Sequence, residues 1–96
     1  MSEHDAPGAT VRAMMGKVVV LDTRGPFVYI GTLDACDEMT FTLSEVDVHD
    51  MRQTNSSTDH YLVETRKHGL RINRRQVTVL AREVVSLSTL EDIVPY

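Results

Sequence analysis

The stretch GTLDACDEMTFTL, residues 31–43, sets a glycine inside one apparent β-strand and then opens a second strand whose apolar phase changes partway along. Gly31 interrupts FVYIGTLDA, Phe27 to Ala35, and a strand glycine marks a sharp bend or a close backbone approach. In MTFTLSEVDVHDM, Met39, Phe41 and Leu43 are apolar at odd positions, whereas Val46 and Val48 are apolar at even ones. A period-two strand keeps both sets on one face only if a bulge near Ser44 and Glu45 inserts a residue. Bends in two neighbouring strands predict a strongly curved sheet.

Upstream, KVVVLD (Lys17 to Asp22) is β-branched enough for a first strand, and TRGP (Thr23 to Pro26) supplies the punctuation of a hairpin. Before it, Thr10 is placed to cap a short helix through Val11, Arg12, Ala13, Met14 and Met15, with Gly16 where helices often end. Residues 1–9 carry charge, Gly and Pro with almost no apolar side chains, the composition of a mobile tail. The folded domain is thus expected over residues 10–94.

Downstream, RQTNSSTDH (Arg52 to His60) is polar and turn-rich. Ser57 or Thr58 is positioned to cap a helix over HYLVETRKH ending at Gly69, with a strand through YLVET as the competing reading. LRINRRQVTVL and EVVSLS read as two further strands joined by a tight connection. The fold class is therefore mainly β: a short N-terminal helix, five bent antiparallel strands forming a small barrel, and an extra helix between the third and fourth strands. Closure within one chain requires the last strand to return to the first; otherwise a neighbouring subunit must cover the edge.

The chain has 96 residues and a formal net charge of −4. One domain of that size buries only roughly 60–65% of its unfolded surface, so oligomerisation would add useful burial. The acidic balance excludes a general polyanion binder and confines any nucleic-acid site to a local patch. Cys36 is the single cysteine and has no zinc-type Cys/His spacing around it, which suits a reducing compartment. MSEHDAPGAT lacks the basic and apolar regions of a secretory signal, and no apolar run is long enough to span a bilayer. A cytoplasmic protein without membrane contact is expected.

Taken together, Gly31, Leu33, Asp37, Met39, Thr40 and Leu43, preceded by RAMMGKVVVLDTRG, resemble the first motif, helix and hairpin of the Sm-like family. The family's second motif falls on VLAREVVSL, where Val79, Leu80 and Ala81 stand in place of Ile-Arg-Gly and only the apolar skeleton is kept. The resemblance implies a bent five-stranded barrel and hexameric or heptameric rings that pair the fourth strand of one subunit with the fifth of the next. The composition agrees: VTVL and VVSLS are apolar, and an exposed edge of that kind needs a partner. Head-to-tail pairing must close or else form filaments.

The resemblance also implies an RNA pocket built from a stacking residue after the motif Asp, an Asn amide and a second-motif Arg. Here the segment after Asp37 is one residue short, Thr40 replaces the Asn, and Leu80 replaces the Arg. Base stacking alone is worth roughly 1–3 kcal/mol per base, so a conventional uridine pocket is not expected. Asp37 and Thr40 remain candidate RNA contacts, against the reading that they hydrogen-bond the local turn.

Positive charge lies elsewhere. Arg66, Lys67, Arg71, Arg74, Arg75 and Arg82 occupy an acid-free run, whereas residues 34–50 carry six acids and no Lys or Arg. Arg71, Asn73, Arg74 and Arg75 are accordingly candidate RNA contacts on a basic rim, with a solvated turn or an ion pair between subunits as the plainer reading. The rival function is a protein-interaction scaffold that binds no nucleic acid.

Asp47, His49 and Asp50, or Asp59 and His60, have metal-ligand chemistry, but on a surface strand and a polar loop solvation is the expected state. Tyr29 and Tyr61 read as core or interface residues. With no nucleophile elbow, no Gly-rich phosphate loop and no catalytic set, the expectation is no enzyme, no cofactor and no metal.

Overall fold

The bulge forms where the apolar phase changes. In the computed structural model, which describes residues 8–95, β2 (Phe27–Cys36) and β3 (Thr40–Asp50) pair antiparallel. Ile30 faces Asp47 and Thr32 faces Ser44, so Gly31 stands opposite both Glu45 and Val46. Glu45 takes up the extra residue with a φ of 50°, a left-handed conformation that is uncommon outside glycine. Gly31 allows the strands to close on this kink, because a Cβ there would lie 2.9 Å from the Ser44 carbonyl oxygen. A second irregularity leaves Asp34 as an extra residue on β2, between the pairs Leu33–Leu43 and Ala35–Thr42.

The other strands are β1 (Val18–Thr23), β4 (Arg74–Leu80) and β5 (Val84–Thr89), and the sheet order is β4-β3-β2-β1-β5. The first four strands form a meander, and β5 returns to pair antiparallel with β1. Four flat inter-strand steps would put β4 and β5 about 19 Å apart. Only the 3-10 turn Ala81–Glu83 joins them, a connection that reaches no more than about 14 Å, so the sheet must curl. It curls without closing: β4 and β5 are its two edges and do not pair with each other. The barrel expected from the sequence is thus left open within the single chain.

Both faces of the sheet are covered. Val19, Leu21, Leu33, Leu43, Val46 and Val79 form one core, closed by Val11 of α1 (Ala9–Ala13) and by Met14, the residue that caps its C-terminus. Val20, Val28 and Ile30 form the other core with Leu62 of α2 (Thr58–His68), joined by Leu70 and Ile93. The continuous apolar run of β1 follows from this, since Val19, Val20 and Leu21 are all buried.

Helix α2 is a helix for the reasons legible in its sequence. The Ser57 hydroxyl accepts from the His60 N–H at 3.1 Å, and Gly69, at φ 91°, donates to the Thr65 carbonyl at 2.8 Å. At α1 the expected cap is corrected. Gly8, not Thr10, precedes the helix and no side chain caps it; packing of Val11 and Met14 sets its position. Of the expected mobile tail, residues 1–7 lie outside the described residues. Strand β4 begins at Arg74, later than Leu70, because Leu70 packs into the second core and Asn73 pairs by its side chain with β3. Among the described residues, no helix is long and apolar enough to cross a membrane.

Candidate functional site

The β2–β3 turn brings Asp37 and Thr40 together. Asp37 Oδ1 accepts from the N–H groups of Met39 and Thr40, both at 2.8 Å, and from the Thr40 hydroxyl at 3.2 Å. The Met39 and then the Thr40 backbone donors hold this carboxyl below the usual aspartate range. Thr40 also sits opposite Leu80 in the β3–β4 register, so the two motif positions are neighbours. Met39 and Leu80, 68% and 44% exposed, line a notch of about 160 Å³ with Glu38 and Arg82.

The sign of the Asp37 shift makes a prediction. A depressed carboxyl stabilises the turn above the ordinary aspartate value of about 3.9 and loses that contribution as pH falls through its lower folded value. A carbon-detected NMR titration should give Asp37 a midpoint below about 3.9. A midpoint at or above that value would show that the turn is not closed this way.

The basic residues separate into two places. Arg66 and Lys67 lie in the last turn of α2, where the helix dipole favours cations; Arg71 lies in the following linker, and Arg74 and Arg75 open β4. All five are exposed, and none is ion-paired among the described residues. Arg82 stands apart at the far end of β4, where its carbonyl accepts from Arg24 Nε at 2.8 Å. Asn73, at the centre of the NRR run, is fully engaged in the fold: its Nδ2 donates to the Val48 carbonyl at 2.9 Å and its Oδ1 accepts from the Val48 N–H at 3.0 Å.

A second locus lies between α2 and β3. Asp47, expected to be solvated, is only 3% exposed because α2 covers its face of the strand. The Tyr61 hydroxyl donates to Asp47 Oδ2 at 2.6 Å, and the Arg71 N–H lies 3.4 Å from the same oxygen. Burial first, and the Asp47 hydrogen bond second, push the Tyr61 hydroxyl pKa up. The His49 ring stacks on Tyr61 with centroids 3.9 Å apart, and its Nε2 is buried without a hydrogen-bond partner. On the exposed flank of α2, His60 and His68 reach Glu64 at 3.7 and 3.1 Å.

These groups line an open cleft of about 410 Å³ whose other wall includes Thr54, Ser56 and Arg71. The one sequence signal for it is the alternation that turns Asp47 and His49 away from Val46 and Val48. Asp50 is instead tied to Arg52 at 2.8 Å, and Asp59 is exposed at the start of α2. Among the described residues, no group of three or more His, Cys, Asp or Glu side chains is arranged to hold a metal ion. Tyr29 packs against the first core, and Cys36 is a partly buried free thiol. The sequence matches no protein-family model, and no curated protein matches it either.

Proposed function

We propose that this chain is an Sm-like subunit that assembles head to tail, β4 of one copy against β5 of the next, and binds RNA through a basic rim instead of a uridine pocket. The observation that carries the reading is an unpaired edge strand, β4, that opens with two exposed arginines free of acidic partners among the described residues. At the other edge, β5 exposes Val85, 67% accessible, a residue that a neighbouring strand would cover. A hexamer or heptamer closes such heterologous pairing. It also repeats the rim arginines around one axis, where they neutralise successive phosphates. Asp37 and Thr40 serve the turn and Asn73 serves β3, so Arg71, Arg74 and Arg75 are the RNA contacts.

The test joins light scattering with RNA binding across a salt series. The wild type is expected to be a ring, and its log affinity to fall linearly with log salt concentration. Arg74→Ala with Arg75→Ala should keep the ring and flatten that slope by roughly one unit per lost contact. A stable monomer would remove the assembly, and an unchanged slope would remove the arginines from the backbone contact. The scaffold reading is favoured by one feature, the apolar notch at Met39 and Leu80. It predicts a ring whose RNA affinity is negligible even at low salt.

A further inference from the structure

We propose that the cleft between α2 and β3 binds a single ribonucleotide. The proposal builds on the RNA reading and adds a site away from the motif turn, one that shares Arg71 with the rim. The cleft, about 410 Å³, falls in the size range of small-ligand sites. Its lining holds two opposite chemistries. Arg71 brings a guanidinium with no ion-pair partner among the described residues, and Glu64 brings a carboxylate, half-exposed between two imidazoles.

A bare phosphate would meet Glu64 as well as Arg71, and a purely cationic ligand would meet Arg71 as well as Glu64. A nucleotide presents both parts: an anionic phosphate for Arg71 and, on an amino-bearing base, N–H donors for the carboxylate. His60 and His68 stand at the mouth, 59% and 74% exposed at the side chain, and flat imidazoles suit an unstacked base. The floor is prepared. Tyr61 holds Asp47 and stacks on His49, so the aromatic floor is fixed before any ligand arrives.

The surroundings fit a nucleotide that is part of a chain. In sequence, the lining residues His68 and Arg71 are flanked by Arg66 and Lys67 before them and by Arg74 and Arg75 after them, so the segment that forms this wall is rich in phosphate-binding side chains. The base preference follows from Glu64. Guanine offers a carboxylate two adjacent donors, N1–H and the exocyclic amine, whereas uracil offers only N3–H. The cleft would thus select against the base that the resemblance to Sm-like proteins implies.

The experiment follows the histidine ring resonances of the full-length protein by NMR while GMP, UMP or a short single-stranded RNA is added. GMP is expected to shift the His60 and His68 signals, and UMP to bind roughly tenfold more weakly. Glu64→Gln, at a half-exposed position, and Arg71→Ala, at an exposed one, should each weaken GMP binding by roughly tenfold. Silent His60 and His68 signals at millimolar GMP, or equal affinity for UMP, would overturn the proposal. The two readings separate cleanly. RNA that binds without moving these histidines keeps the rim and removes the cleft. GMP shifts that persist in Arg74→Ala, Arg75→Ala protein after RNA binding is lost support the cleft as a site of its own.

Discussion

Gly31→Val lowers the stability of this fold by about 1–3 kcal/mol. The first side-chain carbon would lie 2.9 Å from the Ser44 carbonyl oxygen, 3.1 Å from Val46 Cγ2 and 3.3 Å from Val46 Cα. Two of those three atoms are main chain, so no rotamer change relieves the contact. The strands must part at the very place where Glu45 already holds a left-handed conformation. Val46 is completely buried in the first core, so parting the strands there loosens that core as well. Urea unfolding should show a lower midpoint, while Gly25→Ala, with nothing within 4 Å of the added carbon, should stay within about 0.5 kcal/mol of wild type. A valine variant as stable as wild type would mean that β2 and β3 do not cross this closely.

Tyr61→Phe is the second large effect, about 1.5–3 kcal/mol, the usual range for a hydrogen bond to a charged group. Phenylalanine preserves the stack on His49 and removes only the hydroxyl, leaving the buried Asp47 carboxylate with the Arg71 N–H at 3.4 Å. The pH dependence has a definite sign. A tyrosine whose folded pKa is raised contributes its full stability below the ordinary value of about 10 and loses it as pH rises through the folded value. Wild type should therefore lose stability in alkali, with one tyrosine ionising late by absorbance near 295 nm. The Phe variant should start less stable and show a flatter alkaline limb. Identical alkaline limbs in the two proteins would show that the hydroxyl does not hold Asp47.

The bulge was legible because a phase change in an alternating strand has few other solutions, and Met39 to Val48 wrote it out. Helix α2 was legible at its ends, where Ser57 and Gly69 act through local backbone chemistry. Its destination was not. Asp47 and His49 point away from the first core, as alternation requires, and a residue on the far face of a lone sheet reads as solvated. Whether that face is covered depends on where a helix eleven residues long comes to rest, a tertiary choice that short-range pattern does not encode. The apolar continuity of Val19 to Leu21 was the available hint that both faces are dry. The rim arginines were found from charge alone. Nothing in NRR distinguishes a free amide from one engaged by β3, so the sequence alone offers Asn73 as an RNA contact beside them.

The pairing of Asn73 with Val48 also bears on where the sheet gains its fourth strand. A carboxamide sets an N–H donor beside its C=O acceptor, as one residue of an extended strand does, and here it docks on both main-chain atoms of Val48 as the next strand would. The linker thus imitates one residue of sheet and seals β3 at the point where β4 has yet to start. The Asn73 N–H donates to the Val46 carbonyl at 2.9 Å as well, so main chain and side chain of this residue together occupy β3 at Val46 and Val48. One amide therefore fixes where along β3 the next strand of the same chain begins.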